Sequence, residues 1–296
     1  MTGFMRLKFK IISFVSVIAL TAALFSGCAG ASGSKSGSAL QNAAGTDGLK
    51  VIFIDVGQGD SALLELDGET ALIDGGESEY AEKVEQTLGD EGITEITYLI
   101  ATHPHSDHIG SLAKIVKDYG IDNIYMPEAE TNTKTFENLL DAIDAKGLSV
   151  TSPAPGDKLP FGGADGVFLG PVKDYDNLND DSIVLRLVYG KTSFLFAGDI
   201  ETRAEKDICG LGYELKSDVL KVPHHGSDTS GLKDFLSAVS PGYAVISVGA
   251  DNIYGHPNAK IVEAYVKTGA VVLQTSICGD ITFYSDGKTV NYATGK

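Results

Sequence analysis

The chain has 296 residues, 43% of them hydrophobic and 21% charged, a composition that supports a packed core and excludes a disordered or fibrous polymer. Its 40 acidic and 23 basic residues give a formal net charge of −17, which repels polyanions and counts against a non-specific nucleic-acid-binding module. An enzyme acting on phosphodiesters is not excluded, because bound divalent cations invert the sign locally.

The N-terminus reads as an export signal. MTGFMRLKFK is basic, and residues 11–25 form an apolar run of 15, shorter than the ~20 residues a membrane-spanning helix needs. Ser26-Gly27-Cys28 then places small residues before a cysteine, which resembles a bacterial lipobox. Residues 1–28 are thus expected to be a lipoprotein signal with Cys28 as the lipidated residue, leaving an exported protein held on the outer side of the cell membrane. An ordinary signal peptide cut elsewhere is the alternative. Residues 29–49, rich in Gly, Ser and Ala, suit a flexible tether. With Cys28 lipidated, Cys209 and Cys278 remain, either as a disulfide or as two buried thiols.

From residue 50 the apolar pattern is dense. Residues 49–56, 61–67 and 69–74 predict consecutive strands with Gly-containing turns, followed by a helix over 81–88 and a buried strand over 97–102. Helices are expected over 108–119 and 133–146. Residues 182–190 and 192–199 predict a hairpin around Gly190-Lys191. Helices at 201–209, 231–238 and 258–267 then alternate with strands at 218–223, 243–248 and 270–275, and a strand pair at 281–285 and 288–293 closes the chain. Two strand-rich halves with helices between them predict one α+β domain over 50–296, sheet packed on sheet with helices outside.

The chemistry concentrates in a few loops. Residues 102–110 read Thr-His-Pro-His-Ser-Asp-His-Ile-Gly, so His103, His105, Asp107 and His108 share one strand-to-helix loop. Imidazole and carboxylate groups in this density suit Zn²⁺, and also Mn²⁺ or Fe. His103 and His105 can hold one cation while Asp107 and His108 face a second. Two adjacent cations can share an activated hydroxide, a nucleophile available at neutral pH. All six His (103, 105, 108, 224, 225 and 256) fall in three Gly- or Pro-punctuated loops after predicted strands, which a chance distribution does not produce. Asp199 ends a strand in FLFAGD, where it can bridge metals or cap the next helix. His224-His225 ends another strand; in an extended segment the two would point to opposite sides, so one is expected to ligate. Asp74 ends an early strand and can orient the His loop from behind.

These residues resemble the metallo-β-lactamase superfamily through HxHxDH at 103–108. DVGQGDS (55–61), NDDSIVLRL (179–187), VPHHGS (222–227) and YGHP (254–257) are similar to its ComEC-like branch. The resemblance covers essentially all of the chain after residue 50 and implies an αββα sandwich with the site at one edge. It also implies two divalent metals, Zn or Mn. His103 and His105 would bind the first, Asp107, His108 and His225 the second, and Asp199 both. One departure stands out: the family usually supplies a third His to the first metal, yet no His lies between 108 and 224. Asn179, Asp180, His224, His256 or water must replace it, or the first metal is weakly held. His256, with Tyr254 beside it, is a candidate proton donor or substrate clamp, and Asp60 and Gln58 are candidates for lining the site. The resemblance implies a metal-dependent phosphodiesterase or nuclease, with DNA as the foremost substrate and Asp107 and His256 in catalytic positions. The alternatives are a small or cell-wall phosphodiester, as for phosphocholine esterases, and a non-catalytic metal-binding surface lipoprotein.

Overall fold

In the computed structural model, residues 48–296 are described; the signal segment, Cys28 and nearly all of the proposed tether lie outside them. Strands β1 (Leu49–Phe53), β2 (Ala62–Leu66) and β3 (Glu69–Ile73) pair antiparallel as an opening meander. Helix α1 (Ala81–Asp90) then crosses to β4 (Glu95–Ile100), parallel to β3. Helix α2 (Ser106–Ile109), α3 (Leu112–Asp118), β5 (Gly120–Tyr125), α4 (Lys134–Ala145) and β6 (Val150–Thr151) continue in the same parallel sense.

The second half repeats the plan in a second sheet. Strands β7 (Lys158–Phe161), β8 (Ala164–Gly170), β9 (Val184–Tyr189) and β10 (Thr192–Phe196) are antiparallel. Helix α5 (Thr202–Gly210) leads to β11 (Val219–Lys221), α6 (Lys233–Val239) to β12 (Tyr243–Ile246), and α7 (Ala259–Lys267) to β13 (Val271–Gln274), with β10 to β13 parallel. Helix α8 (Thr275–Cys278) returns the chain to the first sheet as β14 (Ile281–Ser285) and β15 (Val290–Thr294). The sheet orders are β15-β14-β1-β2-β3-β4-β5-β6 and β13-β12-β11-β10-β9-β8-β7.

Strand periodicity explains the layering. In β1, Val51 and Phe53 face the inter-sheet core with Phe161, Phe168, Phe194, Phe196 and Phe283. Ile52 and Ile54 point the other way, under Val84 and Leu88 of α1 and Ile115 of α3. Leu195 and Leu220 do the same on the second sheet, under Phe235 and Tyr265. Both faces are covered, so the strands read as near-continuous apolar runs. Helix α4 is fixed by Thr133, whose hydroxyl accepts from Phe136 N–H, and by Phe136, Leu139, Ala142 and Ile143 on its buried side. The architecture is the expected αββα sandwich.

Local expectations differ in three places. The helix expected over 108–119 starts at Ser106 and divides at Gly110-Ser111, where Gly110 meets the backbone of Ser78 and Ser106 too closely for any side chain. β5 and β6 were not anticipated, and neither were β7 and β8, where the Gly162-Gly163 turn between them and Gly166 within β8 mask the alternating pattern. Cys209 is a free, half-buried thiol, so it does not pair with Cys278. No helix among the described residues is long and apolar enough to cross a membrane.

Candidate metal centre

Four strand ends meet along one edge of the sandwich. Asp74 follows β3 and His103 follows the parallel β4 in the first sheet. Asp199 follows β10, and the turn Pro223–Gly226 follows the parallel β11 in the second. Parallel neighbours deliver their carboxyl ends to the same rim, which is why residues distant in sequence converge there.

Asp107, His108, Asp199 and His225 each offer a ligand atom, all within 4.8 Å of one another. Asp199 Oδ2 stands 3.2 Å from His108 Nε2 and 3.2 Å from His225 Nε2. Asp107 Oδ2 is 3.2 Å from His225 Nε2 and 3.9 Å from His108 Nε2. Four donors around a cation at roughly 2.1 Å in tetrahedral array would lie about 3.4 Å apart, so these spacings fit a metal. Beside this group, His103 Nε2 lies 3.0 Å from His105 Nδ1, a second convergence of donor atoms.

The polar accounting agrees. Among the described residues, seven buried side-chain polar atoms lack a hydrogen-bond partner, and they include Asp60 Oδ1, His108 Nε2, Asn179 Oδ1, Ser247 Oγ and His256 Nδ1 around this rim. Orphaned polar atoms are costly in a folded interior and ordinarily mark an ion, a water or a catalytic role. The donor set therefore fits divalent cations.

Supporting bonds fix the ligand rings. His108 Nδ1 meets Asp74 Oδ2 at 2.8 Å, and Asp74 also accepts from Thr102 N–H and Thr102 Oγ1–H, at 2.7 Å each. His225 Nδ1 meets the Ser247 carbonyl at 2.9 Å. Asp74, His224 and His225 take positive φ of 58°, 49° and 51°, a left-handed backbone that is uncommon for non-glycine residues.

Charges are densely coupled. Burial disfavours ionised Asp199, but His225, His108 and Lys221 outweigh it and hold the carboxyl well below its usual range. Burial likewise opposes protonation of His108, yet Asp199, Asp74 and Asp107 push its pKa well up. His103, buried beside His108, is pushed down.

The predicted residues divide into groups. His103, His105, Asp107, His108, Asp199 and His225 come together, with Asp74 behind them. The extended geometry expected for His224-His225 is wrong: both lie in a left-handed turn, and the ligand-like position falls to His225 because of that turn. His224 instead bonds Thr229 Oγ1 at 2.9 Å. Asp180 is taken up elsewhere, since its Oδ1 accepts from the N–H groups of Glu201 and Ala204 and caps α5. Asp180 therefore performs the capping that Asp199 was expected to offer. Asp60 is buried against Lys221, and Gln58 Oε1 accepts from Gly249 N–H at 3.3 Å. His256 stacks between Tyr254, at 5.8 Å, and His225, at 6.3 Å, and Tyr254 is exposed.

Lys221 was missed. Its ammonium is buried between Asp60 and Asp199, 3.5 Å from Asp199 Oδ1, and donates to the Gly198 carbonyl at 3.0 Å. A lysine inside the apolar strand sequence VLKVP was the available signal, because a charge is buried only when paired. Asp60, Asp74 and His108 also group like a metal site, but Lys221 already supplies that corner with a cation. Ser182 was missed as well: its Oγ accepts from Asp199 N–H and contacts His103 Nδ1 at 3.3 Å.

Comparison with known proteins agrees with this geometry. The chain is 29% identical over 253 residues to ComE operon protein 3 of Bacillus subtilis, covering 79% of this chain and 33% of that protein. It is 32% identical over 235 residues to Competence protein ComA of Neisseria gonorrhoeae, covering 77% and 31%. The chain thus spans about a third of the length of these relatives. Among solved structures, the metallo hydrolase Igni18 from Ignicoccus hospitalis matches with a TM-score of 0.52 at 19% identity, covering 79% of this chain and 98% of that one, which shows a shared fold. The family model described as the metallo-beta-lactamase superfamily matches residues 54–250, and the chain belongs to that superfamily, in its ComEC-like branch.

Proposed function

We propose that this metal-dependent hydrolase is a phosphodiesterase, exported and tethered to the outer face of the cell membrane through Cys28. The observation that carries the chemistry is the convergence of Asp107, His108, Asp199 and His225 next to the His103–His105 pair. We assign His103 and His105 to one divalent cation, Asp107, His108 and His225 to another, and Asp199 to both, with Mn²⁺ or Zn²⁺ as the metals. Bound cations would supply a nucleophile at neutral pH and neutralise charge on the phosphoryl group.

The chain's own residues do the rest. Asp74 and the Ser247 carbonyl orient the two imidazoles of the second site. Asp107, with a quarter of its side chain exposed, faces the solvent side of the cluster. His256 keeps a buried, unpartnered Nδ1 beside His225, available to clamp a substrate oxygen or relay a proton to a leaving group.

DNA is the substrate that the ComEC-like resemblance implies. A smaller phosphodiester is favoured by one observation: Glu77, Glu201 and Asp228 each bond a residue at or next to the site, namely Ser106, Asn179 and Asn258. Acidic side chains so placed oppose the approach of a long polyanion. Steady-state assays with Mn²⁺ or Zn²⁺ on single-stranded oligonucleotide and on p-nitrophenyl phosphocholine separate the two. A kcat/KM at least tenfold higher on the oligonucleotide identifies a nuclease, the reverse a small-substrate esterase, and no hydrolysis of either rejects the phosphodiesterase reading.

A further inference from the structure

The His103–His105 pair lacks the third protein donor that its partner site has. Among the described residues, these two imidazoles join no group of three His, Cys, Asp or Glu ligand atoms. The side chains near enough to be considered can be sorted by what already occupies them. Asp180 is committed to capping α5. His224 Nδ1 is held by Thr229, and its Nε2 faces Asn179 Nδ2 at 3.4 Å. His256 Nδ1 is also unpartnered, but its ring packs against His224, Tyr254 and His225, an imidazole of the other site.

Asn179 lies in the turn that reaches His103 through Ser182. The residue is 8% exposed, and its Oδ1 is buried without any hydrogen-bond partner. Its amide orientation is set by chemistry, because Nδ2 donates to Glu201 Oε1 at 3.2 Å and a carboxylate accepts only from the NH₂ side. Oδ1 is thereby directed away from Glu201, as a bare acceptor. The turn carrying it is stitched to the centre. Ser182 N–H donates to the Asn179 carbonyl at 3.1 Å, Ile183 N–H to the Thr102 carbonyl at 2.8 Å, and Ser182 Oγ contacts His103 and Asp199.

We infer that Asn179 Oδ1 is the third protein ligand of the first cation, replacing the imidazole usual in the superfamily. The inference rests on the two-metal reading above. A carboxamide oxygen is a hard, neutral donor of the kind that suits Mn²⁺ better than Zn²⁺. The first site then holds two imidazoles and one neutral oxygen beside the shared Asp199. The second adds the Asp107 carboxylate and binds more tightly. The two metals accordingly load in sequence.

Calorimetric titration of the metal-depleted full chain with Mn²⁺ alone tests this, with circular dichroism confirming that each variant folds. The wild type is expected to bind two equivalents, one tight and one weak. Asn179→Ala should weaken the weak equivalent at least tenfold and leave the tight one within threefold. Asn179→Asp should restore it, and a separate titration of Asn179→His with Zn²⁺ should show raised affinity at that site. Unchanged weak-site affinity in Asn179→Ala overturns the assignment. If His108→Ala also leaves both equivalents intact, the metal-centre reading itself fails, so the two failures are distinguishable.

Discussion

Asp74 Oδ2 sits 2.8 Å from His108 Nδ1 and thereby decides which nitrogen of His108 gives up its proton to take a cation. A carboxylate only accepts, so Nδ1 must be the protonated nitrogen and Nε2 is left facing Asp199 and Asp107. Asp74→Asn places an NH₂ group within reach of Nδ1 and favours the opposite tautomer. Metal affinity of the tighter site should fall about 10–100-fold, read by Mn²⁺ titration, with far-ultraviolet circular dichroism unchanged. Unaltered affinity would show that the pair is only structural.

Lys221 predicts a non-additive pair. Removing its ammonium by Lys221→Met leaves Asp60 buried without its cation and should cost about 3–5 kcal/mol in urea unfolding of the metal-depleted protein. Adding Asp60→Asn should recover more than half of that loss, because the stranded charge is gone. Additive losses would mean that the two groups do not interact.

Glu205 gives a pH prediction. Burial raises its pKa from 4.5 to about 7, although Gly231 N–H and Leu232 N–H donate to its oxygens. Between these values the folded chain keeps a proton that the unfolded chain has released, so stability must fall as pH rises from 4.5 to 7. The loss amounts to about 3 kcal/mol when complete. Denaturation of wild type and Glu205→Gln at a series of pH values isolates this contribution as their difference. Parallel curves would contradict it.

Gly59 supports the loop from below. At φ +142° its missing Cβ leaves space for the Asp107 carbonyl, which accepts from Asp60 N–H at 3.1 Å. Gly59→Ala should displace the Asp107 turn, lowering Tm and the content of tightly held metal together. Loss of neither would place the close approach outside the site's requirements.

What the sequence disclosed follows a physical rule. His103, His105, Asp107 and His108 lie in one loop, and Asp199 and His225 end strands whose apolar runs are plain, so local pattern sufficed for both. Lys221 left a local trace as a charge within an apolar strand, but its partners, like Ser182 and the freedom of Asn179 Oδ1, depend on which elements face each other, and no local pattern encodes that. The left-handed turn at His224-His225 was misread because positive φ is uncommon at any non-glycine residue and an apolar strand leads straight into the pair. β7 and β8 were hidden by glycines that weaken the strand signal.

The central claim is that Asp107, His108, Asp199 and His225 form a metal centre that hydrolyses phosphodiesters. Its most direct test is the rate of bis-p-nitrophenyl phosphate hydrolysis by Mn²⁺-reconstituted wild type and His225→Ala, with bound metal counted in the same samples. Measurable turnover is expected in the wild type, with a fall of about 100-fold or more in the variant and loss of metal from it in parallel. Equal rates in the two proteins, or no turnover by fully loaded wild type, would contradict it.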